Sequence, residues 1–552
     1  MVNIVIDSNN EYTNLNIYLE LSFIIPKTSN EYDKWADIFV GRENWVDNLQ
    51  LKNFNASPVF HSIYIESILH SYRLLCELAR LPIFDTPKLV SLSEDKIDAN
   101  RYTIKIGTYL DTKVSQSVYK KLINTALKIC EWMAQHSPTP DNKHKLFSTI
   151  TEKVIKPLHQ IIPAGKSTIP VLRVAHALGI PFIHLGLGVY QLGWGSKARR
   201  LDRSICEFDS AIGTRLAQNK VSTANILREV GLPAPVHGVT TTETDALAIA
   251  TKIGFPVVVK PADGDRGEGV TVDIFEETQL TAAFAPAHKL SKSKQVIVER
   301  QVLGTCHRLF IANGTLLYAV KRHPISVIGD GQRTVSQLVD DEVLKESFKP
   351  PWNRSEIKPI DELASQTLQK LGLLPGSVPG KDIIIPLRPI ESTEWGGVDE
   401  DVTQLVHSEN LRIALQAAKI FGLHIAGVDI ISPDIAKPWH ANGAIINEVN
   451  FAPLFGGAEI SRSYIPKFLK DFVDGNGKIP IEVFDNEKAA EAFQKRQAVH
   501  GMRCYLTTAN RTIDELGEEI VMPFINVKQR VRALILSSDV DAIAILNQEK
   551  IP

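Results

Sequence analysis

Two short stretches carry oxygen donors at a spacing that suits a divalent cation. Asn447-Glu448-Val449-Asn450 reads as a strand. Residues two apart on a strand share a face, so Glu448 and Asn450 point the same way. Gly427-Val428-Asp429-Ile430 is also strand-like and can lie beside it, adding Asp429. Three oxygen donors converging from neighbouring strands suit Mg²⁺, which prefers oxygen ligands shared with substrate phosphates. A carboxylate inside such an apolar run is costly to bury unless paired or metal-bound. A salt bridge to Asp429, with Glu448 and Asn450 on a solvated sheet edge, is the alternative.

A second stretch suits phosphate. Val257-Val258-Val259-Lys260 is a buried-looking strand, and a loop with Gly264, Gly267 and Gly269 follows. A second strand begins at Val270. Glycines let backbone N–H groups approach anionic oxygens, and a lysine at the strand end fixes a positive charge. The order is strand–loop–strand, so neither a Rossmann turn nor a P-loop is implied; an ordinary glycine-rich hairpin is the alternative. Ala164-Gly165-Lys166-Ser167-Thr168 imitates the end of a Walker A loop, but Gln160 stands where its first glycine belongs. Ser167 or Thr168 is expected instead to cap a helix over 171–177.

The elements that hold these groups fall into three regions. Residues 1–160 are rich in Leu and aromatics, with helices expected over 59–81 and 115–136. They read as an accessory domain for substrate docking or oligomerisation. Residues 161–475 alternate β-rich runs (256–260, 295–299, 427–431) with helical ones (222–230, 409–421), which gives α/β or α+β architecture. Gly and Pro place loops at 261–269, 324–331 and 374–380. Residues 476–552 form a smaller third region after the turn-like 474–478.

Bulk properties restrict the function. A formal net charge of -2 argues against a general nucleic-acid binder. No apolar stretch approaches the roughly 20 residues that span a bilayer, and the first residues do not read as a signal peptide. Five scattered cysteines form no Cys-x-x-Cys pair, so the expectation is a reduced cytoplasmic protein.

The motifs in their order resemble the ATP-grasp ligases, most closely the ATP-grasp part of cyanophycin synthetase. They run from Gln191-Leu-Gly-Trp-Gly-Ser-Lys-Ala-Arg-Arg200 through Asn219-Lys220, Gly231-Leu-Pro-Ala-Pro235 and the lysine–glycine loop. Ile297-Val-Glu-Arg300, His307-Arg308, Val327-Ile-Gly-Asp-Gly331, Ala426-Gly-Val-Asp429 and Asn447–Asn450 follow, so the resemblance covers about 165–460. It implies an ATP-grasp fold that binds ATP and Mg²⁺. It would put Lys220 and Lys260 on the phosphates, under a loop of Gly264, Asp265, Arg266, Gly267 and Gly269. Glu299, Arg300 and Val302 would form the hinge that reads adenine, and His307 would stand near the ribose. Arg308 would stabilise the transferring phosphoryl group, with Lys260, Lys321 and Arg388 as further cations, the last for a substrate carboxylate. Asp429, Glu448 and Asn450 would hold Mg²⁺. Such chemistry needs positioned cations more than a nucleophile, which agrees with the lack of a Ser/His/Asp or Cys/His set.

Three departures bear on substrate and product. Cys306 stands where relatives place a ribose-binding carboxylate. Ser392-Thr-Glu-Trp-Gly-Gly-Val-Asp399 replaces the Ser-Thr-Gly-Gly-Thr-Ala substrate loop, keeping Gly396 and Gly397 but adding Glu394 and Trp395. The tail from Lys478 resembles the opening of a Mur-type ligase domain without its phosphate loop, a truncated remnant. The expectation is an ATP-dependent carboxylate–amine ligase with one site, acting on amino acids or peptides, as a homo-oligomer. A silent ATP-binding protein or a subunit of a larger ligase is the alternative.

Overall fold

The computed structural model describes residues 2–6, 15–24, 35, 59–94 and 101–546, except 163, 265–266, 348, 351–353, 355–359, 390 and 392–396. The chain forms two compact units: Met1–Arg203 with Ile465–Pro552, and Ser204–Tyr464. Residues 161–203 and 465–475, grouped above with the middle region, therefore cluster with the first unit.

The first unit contains an antiparallel sheet of Val2–Ile6, Leu15–Ile24, Arg101–Leu110 and Lys88–Glu94, in that order. Arg101–Leu110 buries alternate residues from Tyr102 to Leu110, as its sequence dictates for a sheet covered on one side. Helix Gln116–Gln135 is capped by Ser115 and buries Val118, Leu122, Ile129 and Met133 along one stripe. Helix Thr168–Ala177 does begin where the Walker-like run ends, but neither expected cap forms: Ser167 has helical backbone angles and makes no capping hydrogen bond.

The tail belongs to the first unit. Strand Ile481–Phe484 runs parallel to Ala542–Leu546, which runs parallel to Cys504–Thr507. Only Asp485 and Asn486 separate Ile481–Phe484 from helix Glu487–Val499, and the Asn486 side chain accepts the Ala489 N–H. That side chain takes an N–H that a phosphate would need.

The second unit carries the chemistry-bearing residues on two sheets. Helix α1 (Lys220–Glu229) starts at the cap Asn219. The first sheet has the order β3-β2-β4-β1, from β1 (His237–Thr240), β2 (Val257–Pro261), β3 (Thr271–Ile274) and β4 (Val296–Arg300). Helices α2 (Glu243–Ile253) and α3 (Glu277–Leu290) cover one face, packing Ala246, Ala250 and Leu280 on Val257, Val259, Val296 and Val298. Strand alternation sends Lys260 and Glu299 to the other face.

The second sheet is β7-β6-β5-β8-β9, from β5 (Thr305–Ala312), β6 (Thr315–Pro324), β7 (Gly397–Asp401), β8 (Ile425–Ser432) and β9 (Ile445–Phe451), every pair antiparallel. Helices α1 and α4 (Ser408–Ile420) contribute Leu227, Ala414 and Ala417 to a core with Leu309, Ile311, Ala319, Val428 and Ile430. Asn313-Gly314 turns β5 into β6 with φ of 51° and 72°, as a two-residue hairpin turn requires. Past the turn the register slips by one at a bulge that leaves Leu317 unpaired, between Phe310↔Tyr318 and Ile311↔Leu316. The loop expected over 324–331 is partly a strand, because Ser326–Ile328 pairs with Ile384–Pro386.

Candidate functional site

Strand register lines up one row of charge across the second sheet. Arg308 on β5 lies opposite Asp429 on β8, which lies opposite Glu448 on β9. The Arg308 guanidinium grips Asp429 with two hydrogen bonds, Nε to Oδ1 at 2.7 Å and Nη2 to Oδ2 at 2.6 Å. Asn450 Nδ2 donates to Asp429 Oδ2 at 3.2 Å and to the Gly427 carbonyl at 3.3 Å. Asp429 is 4% exposed, so this full set of partners is what permits its charge to be buried. Gly427 keeps the space: a Cβ there would sit 3.4 Å from Arg308 Cδ and 3.0 Å from Pro453.

Lys220 joins this row to the glycine loop. Its Nζ lies 3.3 Å from Glu448 Oε1 and donates to the Gly264 carbonyl at 3.0 Å. On the first sheet, Lys260 Nζ meets Glu299 Oε1 at 2.6 Å, with both side chains about nine-tenths buried. Gly267 and Gly269 have φ of 80° and 68°, a conformation that disfavours any side chain. Asp265 and Arg266 lie outside the described residues. Each cation here, Lys220, Lys260 and Arg308, thus rests on its own carboxylate.

The remaining expected residues lie apart from that cluster. The Arg300 side chain reaches the Ile253 carbonyl at 3.0 Å, at the end of α2. Val302 follows β4, and the backbone N–H groups of Arg300 and Gln301 donate to Val236 and Pro256 carbonyls. His307 is buried and pairs in register with Lys321. Both therefore occupy the face opposite Arg308, the face packed by α4. Burial pushes the His307 imidazole below its usual range, and the nearby Lys321 charge adds to this. Arg388 is buried and donates to Asp361 at 2.9 Å and to its neighbouring Leu387 carbonyl.

Cys306 and Arg322 stand on the Arg308 face by strand alternation, and Glu391 lies near Cys306; neither Arg322 nor Glu391 is among the residues expected from sequence. Cys306, two before Arg308, is buried, and burial reinforced by Asp429 and Glu391 pushes its thiol well above the usual range. Arg322 is two beyond Val320, the partner of Arg308. Burial pushes the Glu391 carboxyl up, and the neighbouring Asp429 charge adds to this. The signal for Arg322 was strand alternation, but it needed the hairpin register to be read.

The donor chemistry fits Mg²⁺: Asp429, Glu448 and Asn450 offer oxygen atoms from adjacent strands on one face. Lys220 and Arg308 supply positive charge to the same carboxylates.

The match to a family model falls within this unit, and the matches to two cyanophycin synthetases are longer than it. Residues 219–308 match the family model for the carbamoyl-phosphate synthase L chain, ATP binding domain. Cyanophycin synthetase from Trichormus variabilis is 31% identical over 368 residues, 64% of this chain and 40% of that protein. Cyanophycin synthetase from Crocosphaera subtropica is 35% identical over 297 residues, 53% of this chain and 34% of that protein. A glutathione biosynthesis bifunctional protein from Mannheimia succiniciproducens is 32% identical over 258 residues, covering 45% of this chain and 33% of its own length. The chain thus spans 40% or less of the length of these relatives. A bifunctional glutathione synthetase structure from Pasteurella multocida covers 65% of this chain and 52% of its own at 21% identity, with a TM-score of 0.42, too loose a superposition to add to this. The chain has an ATP-grasp fold and resembles the ATP-grasp ligases, cyanophycin synthetase among them.

Proposed function

We propose that this protein is an ATP-dependent carboxylate–amine ligase that works through an acyl phosphate and releases ADP and phosphate. The observation that carries the reading is the row Lys220–Glu448–Asp429–Arg308, held together by strand register on one sheet face. ATP would bring phosphates to Lys220 and Lys260, which would leave Glu448 and Glu299 to reach them. Gly264, Gly267 and Gly269 would let the loop close over the phosphates, with Glu299, Arg300 and Val302 flanking the adenine. Asp429, Glu448 and Asn450 would hold Mg²⁺, which when bound offsets the charge of the phosphate oxygens.

Arg308 would face the transferred phosphoryl group. A substrate carboxylate attacks the terminal phosphorus, ADP departs, and the carboxylate oxygen becomes a leaving group. An amine then attacks the acyl carbon, the C–N bond forms, and phosphate leaves. The guanidinium adds fixed positive charge where negative charge spreads, which is the main contribution a protein can make to such a step. Arg388, held by Asp361, would order the segment leading to the substrate loop rather than meet substrate. His307 and Lys321 would support the sheet from behind.

We further infer that residues 1–160 serve as an accessory domain and residues 476–552 as a Mur-like remnant without a phosphate loop. The parallel order of the tail strands, with a helix straight after the first, supports the latter. A single ATP site would then make one kind of amide bond between amino acids, or onto a peptide.

The test is incubation with ATP, Mg²⁺ and pooled amino acids. ADP and phosphate that depend on added acids are the expected products. AMP with pyrophosphate would overturn the acyl-phosphate reading, and tight ATP binding without turnover on any pool would favour a silent protein.

A further inference from the structure

The strand that receives the far leg of the glycine loop is weakly held by its sheet. β3 lies at the edge and pairs with β2 at only two positions, Val257↔Ile274 and Val259↔Thr271. Between them one residue of β2 stands against two of β3, a bulge. Asp273 in that bulge has φ of 58°, a backbone that glycine takes without strain. Its side chain explains the aspartate. Asp273 Oδ1 accepts from Gln301 Nε2 at 2.8 Å, and the Asp273 N–H donates to Gln301 Oε1 at 2.7 Å. Gln301 directly follows β4, and its own N–H donates to the Pro256 carbonyl at 3.0 Å. It thus reaches across the start of β2 and ties β3 to the segment that leads into the second sheet. Lys370 Nζ lies 3.6 Å from Asp273 Oδ2, but that pair is half exposed and contributes little. The near leg of the loop has its own anchor, because Asp263 accepts the backbone N–H groups of Lys292 and Ser293 at 3.1 and 2.7 Å.

We propose that Gln301 and Asp273 are positioning residues for ATP, whose paired hydrogen bonds fix the glycine loop relative to the adenine-flanking segment. Gln301 lies inside that segment, between Arg300 and Val302, and Asp273 follows the last loop glycine by four residues. A nucleotide spans both places, adenine at one and phosphates at the other. A rigid tie between them removes loop freedom that ATP would otherwise have to remove on binding. Neither side chain touches the nucleotide; both act through the loop. This role rests on the ligase reading, which brings ATP here, and deepens it.

The test is calorimetry of ATP with Mg²⁺ on the full chain, in wild type and four variants. Gln301→Ala loses both hydrogen bonds and should weaken ATP binding about 10-fold. Asp273→Gly keeps the backbone angle and the backbone hydrogen bond, and should lose about 3-fold. Gln301→Glu sets two carboxylates against each other and should bind no better than Gln301→Ala. In the double variant Gln301→Glu/Asp273→Asn the new amide donates to the new carboxylate, with the backbone bond kept. Its affinity should return to within about 3-fold of wild type. In turnover, KM for ATP should follow the same order while kcat at saturating ATP changes much less. Wild-type affinity in Gln301→Ala, or a double variant no tighter than Gln301→Glu, would overturn the tie and leave the ligase reading standing. ATP binding without turnover in wild type would count against the ligase, and the same affinities would still decide the tie. No ATP binding to wild type would overturn both.

Discussion

Replacing Lys260 separates its structural role from its proposed role on ATP. Its ammonium group is 2.6 Å from Glu299, with side-chain exposures of 12% and 11%. Lys260→Met removes one partner and leaves a nearly buried carboxylate without its cation. Breaking a buried pair this way costs about 3 kcal/mol, at the low end for such pairs because both groups keep some solvent. For a unit of this size that is a fall in Tm of roughly 6–12 °C. The same change removes a phosphate contact, which should weaken ATP binding by about 10- to 100-fold. The double variant Lys260→Met/Glu299→Gln removes the stranded charge as well. It should regain most of the lost Tm in differential scanning fluorimetry and none of the lost ATP affinity by calorimetry. If affinity returned together with stability, Lys260 would be a structural partner of Glu299 and the phosphate assignment would be wrong.

Other outcomes follow from the same geometry. Glu448→Gln should cut amino-acid-dependent ADP release at least about 100-fold. It should move Tm little, since its contact with Lys220 is partly exposed; a rate near wild type would remove Glu448 from the site. All five cysteines are buried, and burial lifts the Cys206 and Cys504 thiols to about 12 and the Cys306 thiol well above its usual range. Iodoacetamide at pH 8 should therefore label none of them until the protein unfolds, and rapid native labelling of Cys306 would contradict its placement beside Arg308. Burial pushes Asp541 up, but hydrogen bonds from Arg503 and Ser196 outweigh it and bring the carboxyl to about 2. A folded-state value below the unfolded one means the stabilisation is complete above about pH 4 and is lost as pH falls toward 2. Carboxyl-carbon NMR should find this midpoint near 2, and an ordinary midpoint would show that the Arg503 contact is not kept in solution.

What the sequence made legible was local. Glu448 and Asn450 are two apart, so alternation alone put them on one face, and Lys260 was visible as the residue that ends an apolar run. The helices expected over 115–136 and 409–421 form as Gln116–Gln135 and Ser408–Ile420. What stayed hidden depends on pairing over distance. Lys321 and Arg322 are equally cationic, and only the unpaired Leu317, a detail of hairpin register, selects between them. Arg388 looked free because its partner Asp361 lies 27 residues earlier. Glu391 gave no signal at all, since its proximity to Cys306 comes from a long excursion between β6 and β7. The joining of the tail to the first unit was equally out of reach, because chain order says nothing about which distant segments pack together.

The pairing of each cation with a carboxylate has a consequence for how a nucleotide would arrive. Lys220, Lys260 and Arg308 carry their counter-charges as Glu448, Glu299 and Asp429, built into neighbouring strands. Few mobile anions from solution are then needed to neutralise them, and few would be set free when phosphates bind. On the proposed reading, association is an exchange of partners within the protein, with the freed carboxylates passing to the metal. Nucleotide affinity should therefore respond to ionic strength much less than three lysine and arginine contacts with phosphate would suggest.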